Sequence, residues 1–423
     1  MDQPIGGARQ PCQRLLNVEV ARNDLHFLLR ERIRFRGGTH QCRKAVALAQ
    51  LGKRAPGDIA AADDQQPFHD RILPPPRKSP PMTLEITIRN TGHRFSAQEG
   101  ESILQAALRE GLVLPYGCRD GACGTCKGKL IEGKVDYGRY SPKALADAER
   151  EKGSVLFCQA KPLSDVVIEA REVRKAGDIP IRMLPSRVQR IDRPTADVAI
   201  LYLKLPANER LQFLAGQYLD ILLHDGTRRS FSMANAPHDD EFLQLHVRHV
   251  PGGAFTDHVF GRMKEREILR FEGPLGTFFL REDSDKPIVF VASGTGFAPI
   301  KSVIESAFAK GVARPMTLYW GCRTLKDLYL HELPALWKRE HANFRYIPVL
   351  SEALPEDRWT GRTGFVHRAV MEDFPDLSAV QAYACGVPVM VNAARQDFTS
   401  QCGLPENEFY ADSFTTAADK AGS

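Results

Sequence analysis

The sequence has no apolar run long enough to span a bilayer, and its first residues lack the continuous apolar core of a secretory signal. These absences exclude a membrane-spanning helix and make a cytoplasmic location the default expectation. The body of the chain has no surplus charge either. The formal +5 is carried by the first 81 residues, and from Met82 onward 43 Lys and Arg face 44 Asp and Glu. A near-neutral body offers no electrostatic footprint for a nucleic acid. Nor do the nine cysteines form a disulfide framework, because Cys12, Cys42, Cys322, Cys385 and Cys402 are scattered and odd in number. They read as free thiols in a reducing compartment.

The other four cysteines are ordered. Cys118, Cys123 and Cys126 follow C-x4-C-x2-C among Gly117, Gly121, Gly124 and Gly128, and Cys158 follows Cys126 after 31 intervening residues. That is the plant-type spacing for a [2Fe-2S] cluster, in which each iron takes two thiolates. A loop can wrap three sulfurs around so small a group only by turning repeatedly, and glycine permits those turns. Amides freed by the turns can point at the sulfurs. The alternatives are a four-cysteine zinc site or unrelated buried thiols. Structural zinc usually takes its ligands as close pairs from two knuckles, whereas here three sit in one loop and one alone.

The segment from Met82 to Val173 resembles plant-type ferredoxins, which implies a small α+β, β-grasp-like module. Leu84, Ile86 and Ile88 alternate with polar residues as a first strand, with a return strand near His93 to Ser96. Ser102 caps a helix with Ile103, Leu104, Ala107 and Leu108 on its apolar face, closed by Gly111. Ser141 and Pro142 predict the start of a second helix carrying Leu145, and 165–168 a last strand. The polar stretch 171–178 reads as a linker. Residues 1–81 contain no complete domain and read as a disordered extension, with Met82 the expected natural start and a targeting peptide the rival reading.

Strand patterns resume from Ile181 to Phe271, with turns at Asp225-Gly226 and Pro251-Gly252-Gly253 and one helix near 254–263, which suggests a small antiparallel β-barrel. Two pieces carry chemistry: Arg228-Arg229-Ser230-Phe231-Ser232, and His246-Val247-Arg248 running into Gly252, Gly253 and Thr256. Bare glycine amides at a helix start could receive a phosphate. From here to the C-terminus the sequence resembles the ferredoxin-NADP reductase superfamily. The resemblance implies that Arg229 pairs with the FAD pyrophosphate, Phe231 lies against the isoalloxazine, and Ser232 hydrogen-bonds near N5 as a catalytic group. Thr256 with the Gly252 and Gly253 amides would hold the phosphates from the other side, and Ser230, His246 and Val247 count as cofactor-binding with them. Phe231 stands where the family usually has tyrosine.

After Gly276 the pattern becomes alternating strands and helices, an α/β doubly wound domain. Gly294-Thr295-Gly296 opens a helix, where a pyrophosphate can meet the N-terminus. The turn departs from G-x-G-x-x-G by placing Pro299 at the third glycine, but matches the superfamily's own turn. Cys385-Gly386 leading to Met390 resembles its C-G-P-x-x-M site, which implies that Cys385 lies near the nicotinamide C4 in a catalytic position; no base pairs with it as a nucleophile, and an ordinary buried thiol is the alternative. Arg323 and Lys326 sit where an adenosine ribose would arrive, with NADH the expected donor and NADPH the alternative. Phe414 resembles the aromatic shield over the flavin.

The expected organisation is a 1–81 extension, a ferredoxin domain at 82–175, an FAD-binding barrel at 180–281 and an NAD(P)-binding domain at 285–423. As a whole, 82–423 resembles the CDP-6-deoxy-Δ3,4-glucoseen reductases. That resemblance implies an oxidoreductase passing electrons from NADH through FAD to the cluster and on to a partner, an iron-sulfur dehydratase or an oxygenase component. A flavin couples a two-electron donor to a one-electron carrier. Reductases of multicomponent oxygenases share this order of modules, and a non-catalytic redox carrier or sensor is the reading from another class.

Overall fold

The computed structural model describes residues 83–175 and 179–415. The expectations for 1–81 lie outside the described residues. No helix among those described is long and apolar enough to cross a membrane.

In the first module the strand Thr83–Ile88 pairs antiparallel with Arg94–Gln98 and parallel with Val166–Glu169 in a five-stranded sheet. Its inward side chains Ile86 and Ile88 are fully buried, and the helix Ile103–Arg109 lays Leu104 and Ala107 into the same core as Phe157. Ser102 caps that helix: its hydroxyl accepts the Gln105 amide at 3.2 Å while Gln105 accepts the Ser102 amide at 3.0 Å. This reciprocal pair is worth about 1 kcal/mol. Gly111 takes φ +73° beyond the cap, as its position requires.

Two expectations change here. Ser141-Pro142 opens a turn, closed by the Ala144 amide on the Ser141 carbonyl at 2.9 Å, and the helix is the short Asp147–Glu151. Glu149 reaches back to the Ala146 amide at 3.0 Å, so an acidic side chain starts the helix. The first half of the linker is also structured, with Arg174–Lys175 pairing antiparallel with Leu112–Val113.

The second module is a six-stranded antiparallel sheet running Arg228–Ser232, Tyr218–Leu222, Ile268–Leu275, Arg182–Thr195, Val198–Lys204 and Leu243–Arg248. Its edge strands meet through a bridge between Met233 and Leu245 and a bond from the Ala234 amide to the Gln244 carbonyl at 2.8 Å. The helix Ala254–Gly261 packs Phe255 and Val259 into this core.

The third module is a parallel six-stranded sheet: Arg362–Thr363, Phe344–Leu350, Met316–Cys322, Ile288–Ser293, Gln381–Gly386 and Phe409–Ser413. Both faces are covered, so its central strands read as unbroken apolar runs. Successive strands build outward on one side of Ile288–Ser293, and Gln381–Gly386 then returns to its other side. The end of Ile288–Ser293 is therefore the switch point, where such sheets bind ligands.

Candidate functional site

One cavity of about 940 Å³ is walled by all three modules. Gly117 and Cys118 come from the cysteine loop, Arg229, Ser230, Phe231, Ser232, His246, Gly252, Gly253 and Thr256 from the second module, and Gly294, Thr295, Arg323, Met390 and Phe414 from the third. The fold thus gathers most of the residues singled out in the sequence. Val247, Gly296, Cys385 and Gly386 do not line it, and Lys326 does not reach it.

The three loop cysteines and Cys158 are free thiols that meet in two pairs, Cys118 with Cys123 and Cys126 with Cys158, each in hydrogen-bond contact. The Cys118 contact, reinforced by Thr125, holds the Cys123 thiol down to about 6 despite its burial. Among the described residues no three His, Cys, Asp or Glu side chains converge as on a single metal ion. Two thiols in each of two neighbouring pairs is the donor set of a two-iron cluster.

On the second module the strand alternation sends Arg229 and Phe231 to one side and Ser230 and Ser232 to the other. Phe231 is braced by Phe255, with ring centroids 5.0 Å apart. His246 is buried, its Nδ1 in contact with the Tyr329 hydroxyl at 2.7 Å, while Nε2 has no partner. Arg248 pairs with Asp197 at 2.8 Å through Nη1, yet its Nε and Nη2 are buried and unpartnered, and its guanidinium lies beside Gly294. Buried donors left open at a cavity wall suit a diphosphate. One expectation is corrected: the Gly252 and Gly253 amides are not bare. The first donates to the Asp257 carboxylate at 3.1 Å and the second to the Val250 carbonyl at 2.9 Å. The Thr256 hydroxyl likewise donates to the Val250 carbonyl at 2.8 Å.

In the third module Gly294-Thr295-Gly296 forms a tight turn before the helix Phe297–Ala309, steadied by the Trp320 indole donating to the Gly294 carbonyl at 3.0 Å. Cys385 lies behind the wall with its thiol fully buried, and burial pushes that thiol well up, so it presents neither an exposed atom nor a thiolate. The Phe414 amide donates to the Gly386 carbonyl at 2.8 Å and brings the aromatic ring to the cavity. Asp412, two residues earlier, was not visible as a site residue. Its carboxylate accepts from the Ser232 hydroxyl at 3.5 Å, and burial, then the neighbouring Cys123, push it up to about 7. Only the edge pairing of Phe409–Ser413 carries it there.

His246 gives a pH test. Burial, then nearby Lys301, lower it from the usual 6.5 to about 3. The unfolded chain therefore takes up the proton first as pH falls. Stability from this group is complete above about pH 6.5 and declines below it, by roughly 2 kcal/mol at pH 5. Melting curves of the flavin-free protein between pH 7 and 4 should fall more steeply than those of His246→Gln, and parallel curves would count against the assignment.

The chain matches three family models, in this order: the 2Fe-2S iron-sulfur cluster binding domain over residues 86–163, the oxidoreductase FAD-binding domain over 185–280 and the oxidoreductase NAD-binding domain over 290–396. It is 41% identical over 333 residues to the CDP-6-deoxy-L-threo-D-glycero-4-hexulose-3-dehydrase reductase of Yersinia pseudotuberculosis, covering 79% of this chain and 99% of that one. It is 38% identical to the reductase component of phenol 2-monooxygenase from a Pseudomonas species, covering 81% and 97%. Among solved structures it resembles the Amycolatopsis cytochrome P450 reductase with a TM-score of 0.64 and 34% identity, over 79% of this chain and all of the other. Its cofactors are a 2Fe-2S cluster, FAD and NADH. The chain belongs to the ferredoxin-NADP reductase superfamily, among the NAD(P)H-dependent oxidoreductases that carry a 2Fe-2S domain ahead of their FAD-binding and NAD-binding domains.

Proposed function

We propose that this reductase serves a separate acceptor protein with single electrons from NADH, through modules bounded at 82–175, 180–281 and 285–423, the middle one a barrel closed at the Met233–Leu245 bridge. One observation carries the reading: the cysteine loop, the Arg229–Ser232 strand and the Gly294-Thr295 turn open on a single cavity. When bound, NADH supplies two electrons as hydride, FAD takes them as a pair and releases them singly, and the cluster carries one at a time.

The residues divide the remaining work. Arg229 offers a guanidinium to the FAD diphosphate, and Phe231 presents a braced apolar face to its ring. Ser232 and Asp412 form a hydrogen-bonded pair beside them, 3.5 Å apart. With a value near 7, the Asp412 carboxyl can hold or release a proton at neutral pH, and the Ser232 hydroxyl can hand it on. On the nicotinamide side, Gly294 and Thr295 admit the diphosphate close to the backbone, where the open Nε and Nη2 of Arg248 face it.

Arg248→Ala removes a charge-assisted bond worth about 1.5–3 kcal/mol. The KM for NADH should rise roughly ten- to a hundredfold, with flavin content unchanged. Its partner Asp197 is 40% exposed and loses little. An unaltered KM would remove Arg248 from the nicotinamide site.

The acceptor favoured here is a dehydrase of a CDP-linked 6-deoxyhexulose, since a relative matched over nearly its full length is named as the reductase of that enzyme. An oxygenase component is the second reading, resting on the phenol 2-monooxygenase reductase. The test mixes the purified reductase and NADH with each acceptor and its substrate. Acceptor-dependent NADH oxidation with the dehydrase alone supports the first reading, and with the oxygenase alone the second.

A further inference from the structure

The loop around Cys118 is bound to the flavin sheet at three neighbouring residues. The Tyr116 amide donates to the Thr277 hydroxyl at 3.0 Å, and that hydroxyl returns a bond to the Tyr116 carbonyl at 3.1 Å. The Gly117 carbonyl accepts from the Tyr218 hydroxyl at 2.7 Å. The Arg119 guanidinium forms an ion pair with Asp220, whose side chain is 3% exposed.

Tyr218 and Asp220 are two apart on the strand Tyr218–Leu222, so one face of that strand grips the residues on either side of Cys118. The same strand pairs in register with Arg228–Ser232, setting Asp220 opposite Ser230, and the Ser230 hydroxyl donates to Asp220 at 2.6 Å. The Arg119 carbonyl accepts from the side-chain amide of Gln159, the neighbour of Cys158. The chain of contacts therefore runs from two cluster cysteines, through one ion pair, to the strand that carries Arg229 and Phe231.

The backbone sharpens the point. Arg119 takes φ +62°, a left-handed conformation that glycine would adopt without strain, in a loop already rich in glycine. An arginine at that position retains a strained backbone together with a side chain, and its guanidinium reaches Asp220.

We infer that Arg119 and Asp220, aided by Tyr218, are positioning residues for the internal electron step, holding Cys118 against the cavity wall so that flavin and cluster keep a fixed approach. The inference rests on the electron path proposed above. In that step one electron leaves the reduced flavin and one ferric iron of the cluster becomes ferrous. None of the three side chains takes part in it chemically. They fix its distance, and electron transfer slows steeply as that distance grows.

The test is anaerobic stopped-flow of the holoenzyme with NADH, following flavin and cluster absorption separately. Arg119→Gln with Asp220→Asn removes both charges together, so no unpaired charge is left buried. In this double variant flavin reduction should stay within about twofold of wild type while cluster reduction slows roughly tenfold or more. Arg119→Lys, which keeps the pair, should restore most of that rate. Amide exchange of peptides covering 116–119 and 218–222 should speed up in the double variant alone, a readout that needs no turnover. Cluster reduction at the wild-type rate in the double variant, or a lysine variant as slow as the neutral pair, would overturn the inference. A wild-type flavin that NADH fails to reduce would instead overturn the electron path itself.

Discussion

Cys126→Ala should give a protein that oxidises NADH at its flavin and delivers almost nothing to a one-electron protein acceptor. Cys126 is buried and pairs with Cys158, so on the proposed ligand set alanine would remove one of two ligands from one iron and leave the other iron's pair intact. Among the described residues no other cysteine is placed to replace it, since Cys322, Cys385 and Cys402 belong to the nicotinamide module. The packing cost is small, because removing one sulfur from a core opens a space that costs about 1 kcal/mol. The effect therefore falls on chemistry rather than folding. Reduction of cytochrome c, read at the cluster's exit, should fall at least about a hundredfold, as expected where a group supplies a whole step rather than part of a barrier. Flavin bleaching by NADH should persist. A complete iron-sulfur spectrum in this variant would sink the ligand assignment.

Gly296→Val attacks the other end of the path. A Cβ at Gly296 would stand 2.1 Å from the Cys385 carbonyl oxygen, 2.5 Å from its carbon and 2.7 Å from the Gly386 Cα. All three are backbone atoms of a central strand, so no side chain can swing aside. Relief requires the turn to leave the strand end, which costs about 3 kcal/mol or more and displaces Gly294 and Thr295 from the cavity. NADH-dependent flavin reduction should drop at least about a hundredfold, the equivalent of that energy. Flavin content should remain near wild type, because the Arg229–Ser232 strand belongs to a different sheet. Gly261→Ala, where a Cβ meets nothing within 4 Å, is the matched control. Normal reduction by NADH in Gly296→Val would show that the turn is not the nicotinamide site.

These two variants also mark what the sequence made legible. Cysteine spacing reports ligand geometry directly, because few arrangements of three thiols in one loop serve another purpose. Alternation at Leu84, Ile86 and Ile88 placed a strand within a residue or two of the one observed, since burial imposes that period. Ser141-Pro142 misled because a Ser-Pro pair serves a turn as well as a helix start, and only the Ala144 contact decides between them. The Gly252 and Gly253 amides could not be judged from sequence, as the partner of the first lies in the helix that follows and that of the second in the turn before it. Arg248 was in view but unremarkable until two of its nitrogens were seen to lack partners. Cys385 matched a motif, yet the close approach of Gly296 to its carbonyl sets it behind the wall. Asp412 reaches Ser232 across 180 residues, a relation no local pattern encodes.

The same docking of Tyr116, Gly117 and Arg119 on the flavin sheet leaves only part of the cysteine loop for a visitor. What remains is the side near Gly124, half-buried against Ala144 and bordered by the exposed Arg139 and Lys143. Gly124 does not line the cavity that holds the Gly294 turn, so an acceptor docked there would leave the nicotinamide's doorway open. On that arrangement the protein would act as a relay in a ternary complex, with donor and acceptor seated together, rather than as a shuttle that must empty one berth before filling the next.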